Sequence, residues 1–251
     1  VADGTGSPWF MGDVAISGAK ITRVGRLDPG DYDEVIDAGG LVVSPGIIDV
    51  HSHSDFSLLV NPEADSFIRQ GVTTVFNGNC GNSAAPLNEE SKRHMEEARD
   101  ITVEWLSTAE YLSVMERRGV AINAATFTGL SNLLVSAMGM DAYDRPPTEE
   151  EIEAMKAMQR HAMEEGSYGL SSGLEYDPQT MTDTDALVEL CRVVAEYGGV
   201  YATHIRSRDV KVVEAAREAV EIGERSGVIV EGVHWGARYP SDGKTKHIVD
   251  L

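Results

Sequence analysis

The sequence predicts an α/β fold whose strands run mostly in parallel. After Pro45-Gly46, six apolar strand-like runs alternate with amphipathic helical stretches. The runs are nearly all apolar, as is typical of parallel strands that are buried on both faces. Strict alternation of strand and helix favours one parallel sheet, and eight such units close a (β/α) barrel. The 251 residues therefore predict an incomplete barrel, with about six of the eight units.

The predicted barrel domain covers residues 46–251, and a smaller β segment precedes it. Residues 1–45 are rich in glycine and contain two β-type runs, at 13–25 and 34–43. The glycine-containing breaks between these runs predict tight turns. At the other end, residues 235–251 form a divergent, polar tail from which two further βα units cannot be made.

Each predicted element follows from its composition and its boundary signals. The helix over 147–166 is the clearest, because Thr148 provides an N-cap and Glu151 stands at the capping-box position. The helix over 182–199 begins at either Thr182 or Asp183, both of which can cap a helix. The predicted strands cover 46–53, 72–81, 120–129, 167–176, 200–206 and 228–235. The predicted helices between them cover 62–71, 107–118, 147–166, 182–199 and 209–227.

Composition and charge exclude several classes of partner. The formal charge of −20 makes nucleic acid and anionic membranes poor partners, because both are negative. No stretch approaches the ~18 apolar residues of a membrane span. Two cysteines make no disulfide framework and fit a reducing, cytoplasmic compartment. A signal peptide is neither seen nor excluded, because the chain opens with Val1.

The stretch "IIDVHSHSD", residues 47–55, places two histidines at the end of an apolar run. If the strand continues through it, Asp49, His51 and His53 project to the same side, because side chains alternate between faces. The preceding apolar run argues against a surface turn with two chance histidines. Two imidazoles at a strand end can bind one divalent metal ion, and Asp49 is a candidate carboxylate for orienting an imidazole.

Three more candidate ligands stand at the ends of later predicted strands. Cys80 ends the second strand between glycines, His204 ends the fifth strand, and His234 ends the sixth. Each residue alone could be a buried structural thiol or a core histidine. Barrel enzymes, however, place functional groups at the C-terminal ends of their strands. Cys191 lies in the middle of a predicted helix and is expected in the core.

The combined set therefore predicts a metal centre built from four strand ends. Nitrogen donors with one thiolate suit zinc best. The centre could hold one or two ions, and a thiolate could bridge two. Such a centre can polarise a carbonyl and activate water near neutral pH, as amide or ester hydrolysis requires.

Several motifs resemble a known family. "SPGIIDVHSHSD" resembles the first strand of the amidohydrolase superfamily, whose TIM-type barrel follows a small β-sandwich segment. "QGVTTVFNGNCGNSAAPL" resembles more specifically the N-acyl-D-amino-acid deacylases (D-aminoacylases), as do "GLSSGLEYDP" and "YATHIRSRD". The resemblance covers about residues 3–234. It implies a zinc-dependent hydrolase acting on a small N-acyl-D-amino acid. The positions that match the family's zinc ligands are His51, His53, Cys80, His204 and His234.

The distribution of lysines supports the cysteine as a ligand. Many relatives in the superfamily use a carboxylated lysine on a barrel strand, and the resembled family uses a cysteine instead. No lysine falls on a predicted barrel strand, so Cys80 is the only plausible bridging ligand in this chain. The six lysines are Lys20, Lys92, Lys156, Lys211, Lys244 and Lys246.

The sequence also departs from the family pattern. The family carries His-x-Lys after the sixth strand, where this chain has His234-Trp235-Gly236. The family's catalytic aspartate lies on an eighth strand, with an arginine for the substrate carboxylate beyond it. Both are expected beyond the end of this chain, because Asp242 and Asp250 come too early.

Three hypotheses for function remain open at this point. The first is a zinc amidohydrolase that cleaves the acyl-amide bond of N-acyl-D-amino acids. The second is a cyclic-amide hydrolase such as a dihydropyrimidinase or dihydroorotase, against which the missing strand lysine argues. The third is a truncated, inactive member of the family, which the two missing strands favour. The acyl group, the amino-acid side chain, the metal count and the oligomeric state are left open.

Overall fold

A computed structural model describes the whole chain, residues 1–251, as two units, Val1–Ile47 and Ile48–Leu251. The first unit contains an antiparallel hairpin of β1 (Asp13–Ser17) and β2 (Lys20–Gly25). This hairpin lies within the first β-type run of the sequence, so that prediction is confirmed.

The second β-type run, predicted over 34–43, forms no strand, and this prediction is wrong. Its apolar Val35 and Ile36 are exposed. The run contacts another part of its unit through a backbone hydrogen bond from Ala2 N to Val43 O (2.8 Å). β-type residues form a strand only when a neighbouring segment can pair with their backbone groups. No such neighbour lies along this run.

The second unit is built on six successive strand positions, as predicted. The strands are β3 (Ile47–Asp49), β4 (Val72–Asn77), β5 (Asn123–Thr126), β6 (Thr128–Gly129), β7 (Gly169–Gly173), β8 (Val200–His204) and β9 (Ile229–Gly232). β4 pairs with β5 in parallel, and β6 to β9 pair in parallel in chain order. The third position is interrupted at Phe127, whose backbone N donates to Asn77 O at 3.0 Å. The strands belong to two sheets, β3-β4-β5 and β6-β7-β8-β9, and the predicted α/β class with parallel strand pairs is confirmed.

Nine α-helices connect and follow these strands. Thr148 caps the sixth helix in a capping box with Glu151, as predicted: Glu151 N donates to Thr148 Oγ1 at 3.3 Å. Asp183, rather than Thr182, is the N-cap of the seventh. The helices are α1 (Ser57–Val60), α2 (Asp65–Ile68), α3 (Glu89–Arg99), α4 (Thr108–Arg118), α5 (Leu130–Met138), α6 (Glu149–Glu164), α7 (Thr184–Glu196), α8 (Val212–Ser226) and α9 (Thr245–Val249).

Some helices differ from the predictions for identifiable reasons. The helix predicted over 62–71 is reduced to the four residues of α2. Helices α3 and α5 were not predicted: α3 has few apolar residues to mark a face, whereas Leu130, Leu133, Leu134 and Met138 of α5 do follow the i, i+3, i+4, i+8 spacing of one helix face. Helix α3 has no buried residue, whereas α5 buries Leu130, Leu133, Leu134 and its polar neighbours Ser131 and Asn132. The polar tail contains the short helix α9 and no strand.

Helix α7 shows how the helices cover the sheet. Leu187, Leu190, Cys191 and Val194 follow the i, i+3, i+4, i+7 spacing of one helix face, and all are fully buried. They belong to one core cluster that includes Tyr201 on β8. Each fully buried Leu contributes about 1.5–3 kcal/mol. The assignment of Cys191 to the core is confirmed.

The strands end earlier than predicted, which changes how the candidate ligands are held. The first barrel strand ends at Asp49, so the alternation argument for His51 and His53 does not apply, and both histidines lie in the following loop. Cys80 lies three residues beyond β4. Because the carboxyl ends of parallel strands meet at one edge, these loops still converge.

None of the helices combines the length and the apolar composition that a membrane crossing needs.

Candidate metal centre

All five candidate ligands converge at one end of the sheet. The side chains form two groups, each with its donor atoms within 4.8 Å of one another: His51, His53 and Cys80, and then Cys80, His204 and His234. Cys80 Sγ lies 3.6 Å from His51 Nε2, 3.8 Å from His204 Nδ1 and 3.6 Å from His234 Nε2. The thiol is therefore shared between two groups of imidazoles.

The loop that carries His51 and His53 is fixed by two asparagines from the end of β4. Asn77 Oδ1 accepts hydrogen bonds from the backbone N (3.1 Å) and the hydroxyl (2.7 Å) of Ser54. Asn79 Nδ2 donates to Ser52 O in this loop at 3.4 Å and to Phe76 O in β4 at 2.9 Å. The two imidazole rings meet edge to face with centroids 5.1 Å apart. The histidine pair is thus positioned by buried polar side chains rather than by a strand.

Cys80 is held by its backbone in an unusual conformation. Its φ of 52° lies in the left-handed region, which is rare for a residue with a side chain and costs of order 1–3 kcal/mol. Gln179 Nε2 and Asn82 Nδ2 each donate to Cys80 O at 3.2 Å. The next residue is tied down as well, because Gly81 N donates to Ser171 Oγ at 3.0 Å. Such over-determined strain is typical of functional sites.

Glycines around Cys80 allow this close packing. Gly78 has a φ of 74°, and a Cβ there would lie 2.3 Å from Phe127 O. A Cβ on Gly173, at the end of β7, would lie 2.5 Å from Cys80 O. Both contacts are with backbone atoms and cannot be relieved by a side-chain rotation. The cysteine loop therefore requires glycine at these positions.

His204 and His234 complete the second group from neighbouring strands. His204 is the last residue of β8 and is only 1% exposed, whereas His234 lies two residues beyond β9 and is exposed. Their ring centroids are 4.4 Å apart. His234 also has a positive φ, of 35°, so a second candidate ligand has a left-handed backbone.

Burial lowers the pKa of the imidazoles and raises that of the thiol. Burial is the main cause of the lowered pKa of His51, His53 and His204. His234 is exposed as a whole residue, but its ring is partly desolvated among the other imidazoles, and this desolvation and the neighbouring His204 lower its pKa to about 4. Burial raises the pKa of Cys80 to about 11. At neutral pH the imidazoles therefore present lone pairs, and the thiol is the group that must lose a proton to become a ligand.

The chemistry of this cluster fits a divalent metal ion. One nitrogen of each of three imidazoles faces Cys80 Sγ at 3.6–3.8 Å: Nε2 of His51, Nδ1 of His204 and Nε2 of His234. This is about the separation that a sulfur and a nitrogen ligand have across one tetrahedral zinc ion. Neutral imidazoles with one cysteine form the mixed nitrogen and sulfur donor set that suits zinc.

Asp49 contacts the histidine loop through the backbone. Its Oδ1 accepts from the backbone N of His51 at 3.2 Å. The carboxylate thus holds the backbone at the start of the histidine loop rather than an imidazole ring.

Several polar residues next to the cluster were not predicted from the sequence. Glu175 Oε2 lies 2.8 Å from His204 Nε2, and Tyr176 Oη lies 3.4 Å from His204 Nδ1. Arg238 Nη1 donates to Glu175 Oε2 at 3.2 Å. Their position just beyond β7 and β9, where barrel enzymes place functional groups, is the signal that could have identified them.

Comparison with known proteins gives the family of this fold and site. The amidohydrolase family matches residues 34–227. The chain is 34% identical over 252 residues to D-aminoacylase of Alcaligenes xylosoxydans xylosoxydans, covering 99% of this chain and 52% of that protein. The chain thus spans about half the length of the curated relatives it matches.

Solved structures give the same result. A D-aminoacylase described by its binuclear metal centre superimposes with a TM-score of 0.90 at 35% identity, covering 99% of this chain and 53% of its own. N-acyl-D-glutamate deacylase from Bordetella bronchiseptica, complexed with zinc and a phosphonate inhibitor, superimposes with a TM-score of 0.91 at 31% identity, covering 99% and 52%. The family resemblance inferred from the motifs is confirmed.

Proposed function

Because the chain belongs to the amidohydrolase family, we propose that it forms part of a zinc-dependent hydrolase that cleaves the acyl-amide bond of N-acyl-D-amino acids. The zinc ligands in this proposal are His51, His53, Cys80, His204 and His234. The observation that carries it is the Cys80 thiol, 3.6–3.8 Å from imidazole nitrogens of three histidines. Similarity to enzymes that act on these substrates supports the choice of reaction.

The geometry supports either one or two zinc ions. Two donor groups share Cys80, so its thiolate could serve both. Zinc supplies Lewis acidity for the attack of water on the acyl carbonyl. Residues of this chain would hold the ligands of that centre in place: Asn77 and Asn79 fix the histidine loop, and Gln179 fixes the cysteine loop. The group that transfers the proton to the leaving amine is not assigned among these residues.

We propose that the fold is a TIM-type barrel in which residues 46–251 supply six of the eight βα units. Strands β3 and β9 each have a single strand neighbour, so each offers a free edge to a further strand. Residues 1–45 would contribute to a small β-sandwich. Exposed apolar side chains on the hairpin, such as Ile16 (66%) and Ile21 (68%), support a further layer on this segment.

We propose a cytoplasmic location, a small-molecule substrate, and neither nucleic acid nor membrane as partner. Both cysteines are free and buried, which fits a reducing compartment. The charge of −20 repels polyanions.

The cyclic-amide hydrolase hypothesis has less support. Enzymes of that class use a lysine on a barrel strand. In the second unit every lysine lies outside the strands: Lys92 in α3, Lys156 in α6, and Lys211, Lys244 and Lys246. The cysteine takes the bridging position instead. Measuring hydrolysis of N-acetyl-D-amino acids separates the hypothesis of an inactive member from that of an active deacylase.

Substrate hydrolysis tests the proposed function. We expect a version of this chain extended by the C-terminal half of a homologous D-aminoacylase to hydrolyse N-acetyl-D-amino acids. It should act much more slowly on the L-enantiomers, on hydantoin and on dihydrouracil. The 251-residue chain, which spans about half the length of its relatives, is assayed beside it as the reference. Faster hydrolysis of the cyclic amides would support the cyclic-amide hydrolase hypothesis instead. An extended chain that binds zinc but hydrolyses none of these substrates would support the hypothesis of an inactive family member.

We propose that Asp49 supports the centre without binding metal. Because its carboxylate accepts from the backbone of His51, Asp49→Asn should weaken zinc binding by ~10–100-fold, as is typical of groups behind the ligands. The fold should be unchanged in the circular dichroism spectrum. A metal–oxygen distance of about 2 Å at Asp49 would instead make it a ligand.

A further inference from the structure

Glu175 is placed to control the orientation of one imidazole of the cluster. It follows β7 by two residues, and its side chain is only 18% exposed. Its Oε2 lies 2.8 Å from His204 Nε2. Its Oε1 accepts from Arg208 N at 2.8 Å, and Arg238 Nη1 donates to Oε2 at 3.2 Å. One carboxylate therefore connects the ends of three neighbouring strands.

The two nitrogens of His204 face different partners. Nδ1 points toward the cluster, 3.8 Å from Cys80 Sγ, whereas Nε2 points toward Glu175. A carboxylate is an acceptor only, so the imidazole must carry its hydrogen on Nε2 to satisfy it. A neutral imidazole with hydrogen on Nε2 has its lone pair on Nδ1.

We propose that Glu175 is a positioning residue that holds His204 in the Nε2–H tautomer, with the Nδ1 lone pair directed at Cys80 and at the metal they share. The effect on metal binding rests on the proposed zinc centre, whereas the tautomer of His204 does not depend on it. Carboxylates hydrogen-bonded to metal-binding histidines fix the ring and raise its basicity in many metal sites. His204 is only 1% exposed, so Glu175 rather than bulk solvent provides the acceptor for Nε2.

The hydrogen bonds to the two arginines keep Glu175 itself in place. Arg208 donates through its backbone and Arg238 through its side chain, so the carboxylate is restrained from the loops after β8 and β9. A carboxylate held by three donors keeps its oxygens aimed at fixed positions. The orientation of His204 is thus coupled to both loops through one side chain.

A second glutamate provides a matched control. Glu165 Oε1 lies 3.2 Å from His161 Nε2, and its side chain is 17% exposed. It also accepts from a backbone N, that of Ala109, at 3.2 Å. His161 is 67% exposed and lies on helix α6, outside the cluster. Glu165→Gln and Glu165→Leu therefore remove the same kind of contact without touching the candidate ligands.

The test has one readout that needs no metal. In metal-free chain with ¹⁵N-labelled histidine, long-range ¹⁵N–¹H correlation gives the tautomer of each ring, and the spectrum of His204→Gln assigns His204. We expect His204 in the Nε2–H form. Glu175→Leu should yield a mixture of tautomers, whereas Glu175→Gln, which keeps an acceptor oxygen, should retain Nε2–H. Hydrogen on Nδ1 in the unchanged chain would overturn the inference even if Glu175→Leu fails to fold.

The second readout is the affinity for Zn²⁺, measured by competition with a chelator. We expect Glu175→Leu to weaken it by ~10–100-fold and Glu175→Gln by less, with both Glu165 variants unchanged. Unchanged affinity in both Glu175 variants would also overturn the inference. If the unchanged chain binds no zinc while His204 is in the Nε2–H form, the zinc proposal fails and the positioning of His204 stands.

Discussion

Replacing Cys80 with Ala should remove most of the bound zinc from the purified chain. The Cys80 thiol is the donor that both groups of the cluster share, so its loss weakens every site that the cluster can form. His204→Ala should have a similar effect, because this imidazole is the most buried of the histidine donors. Loss of a ligand should reduce affinity by more than the ~10–100-fold that is typical of supporting residues. Metal analysis and chelator competition measure both variants.

Cys191→Ala is the matched control for the cysteine. It removes a thiol that is fully buried in the core between α7 and the sheet, so it should lower stability and leave zinc content unchanged. Unchanged zinc in both Cys80→Ala and His204→Ala would end the metal-site proposal.

The same site predicts a pH dependence of zinc binding. Burial raises the pKa of Cys80 to about 11, so the thiol is protonated in the metal-free chain at neutral pH. The histidines are already neutral, because burial lowers their pKa. Zinc binding should therefore release one proton, and the affinity should rise about tenfold per pH unit from pH 7 to 9.

Gly78→Ala should destabilise the chain strongly and displace the cysteine loop. Gly78 has a φ of 74°, and a Cβ there would lie 2.3 Å from Phe127 O. The backbone must move to accept it, which also shifts Cys80 two residues later. Gly71→Ala is the control, because Gly71 has a φ of 80° with nothing within 4 Å of its Cβ position.

The two glycine variants separate backbone conformation from steric overlap. Gly71→Ala should cost about 1–2 kcal/mol, the penalty of a left-handed conformation. Gly78→Ala should cost at least about twice as much in urea unfolding and should also weaken zinc binding. Equal losses of unfolding free energy in the two variants would show that the contact with Phe127 O is relieved without effect on the loop.

The candidate ligands could be predicted from the sequence because each follows an apolar run. In a parallel sheet all such positions meet at one edge, so Cys80 and His234 come together across 154 residues. The helix ends at Thr148 and Gly227 were also predictable, since local capping chemistry sets them.

The finer structure of the site could not be predicted, because tertiary contacts determine it. His51 and His53 lie in a loop held by Asn77, which no strand periodicity indicates. Cys80 has a left-handed backbone that is stabilised by Gln179, 99 residues away. Glu175 lies next to His204 only in the fold. The strand predicted over 34–43 did not form for the same reason, because strand pairing depends on a neighbouring segment that the sequence of the run does not reveal.

Zinc K-edge X-ray absorption of the zinc-loaded chain tests most directly whether Cys80 and the histidines bind the same metal. The proposed centre predicts a sulfur scatterer at about 2.3 Å together with imidazole nitrogens at about 2.0–2.1 Å. The sulfur contribution should disappear in Cys80→Ala and persist in Cys191→Ala. A spectrum of the unchanged chain with nitrogen and oxygen scatterers but no sulfur would contradict the account.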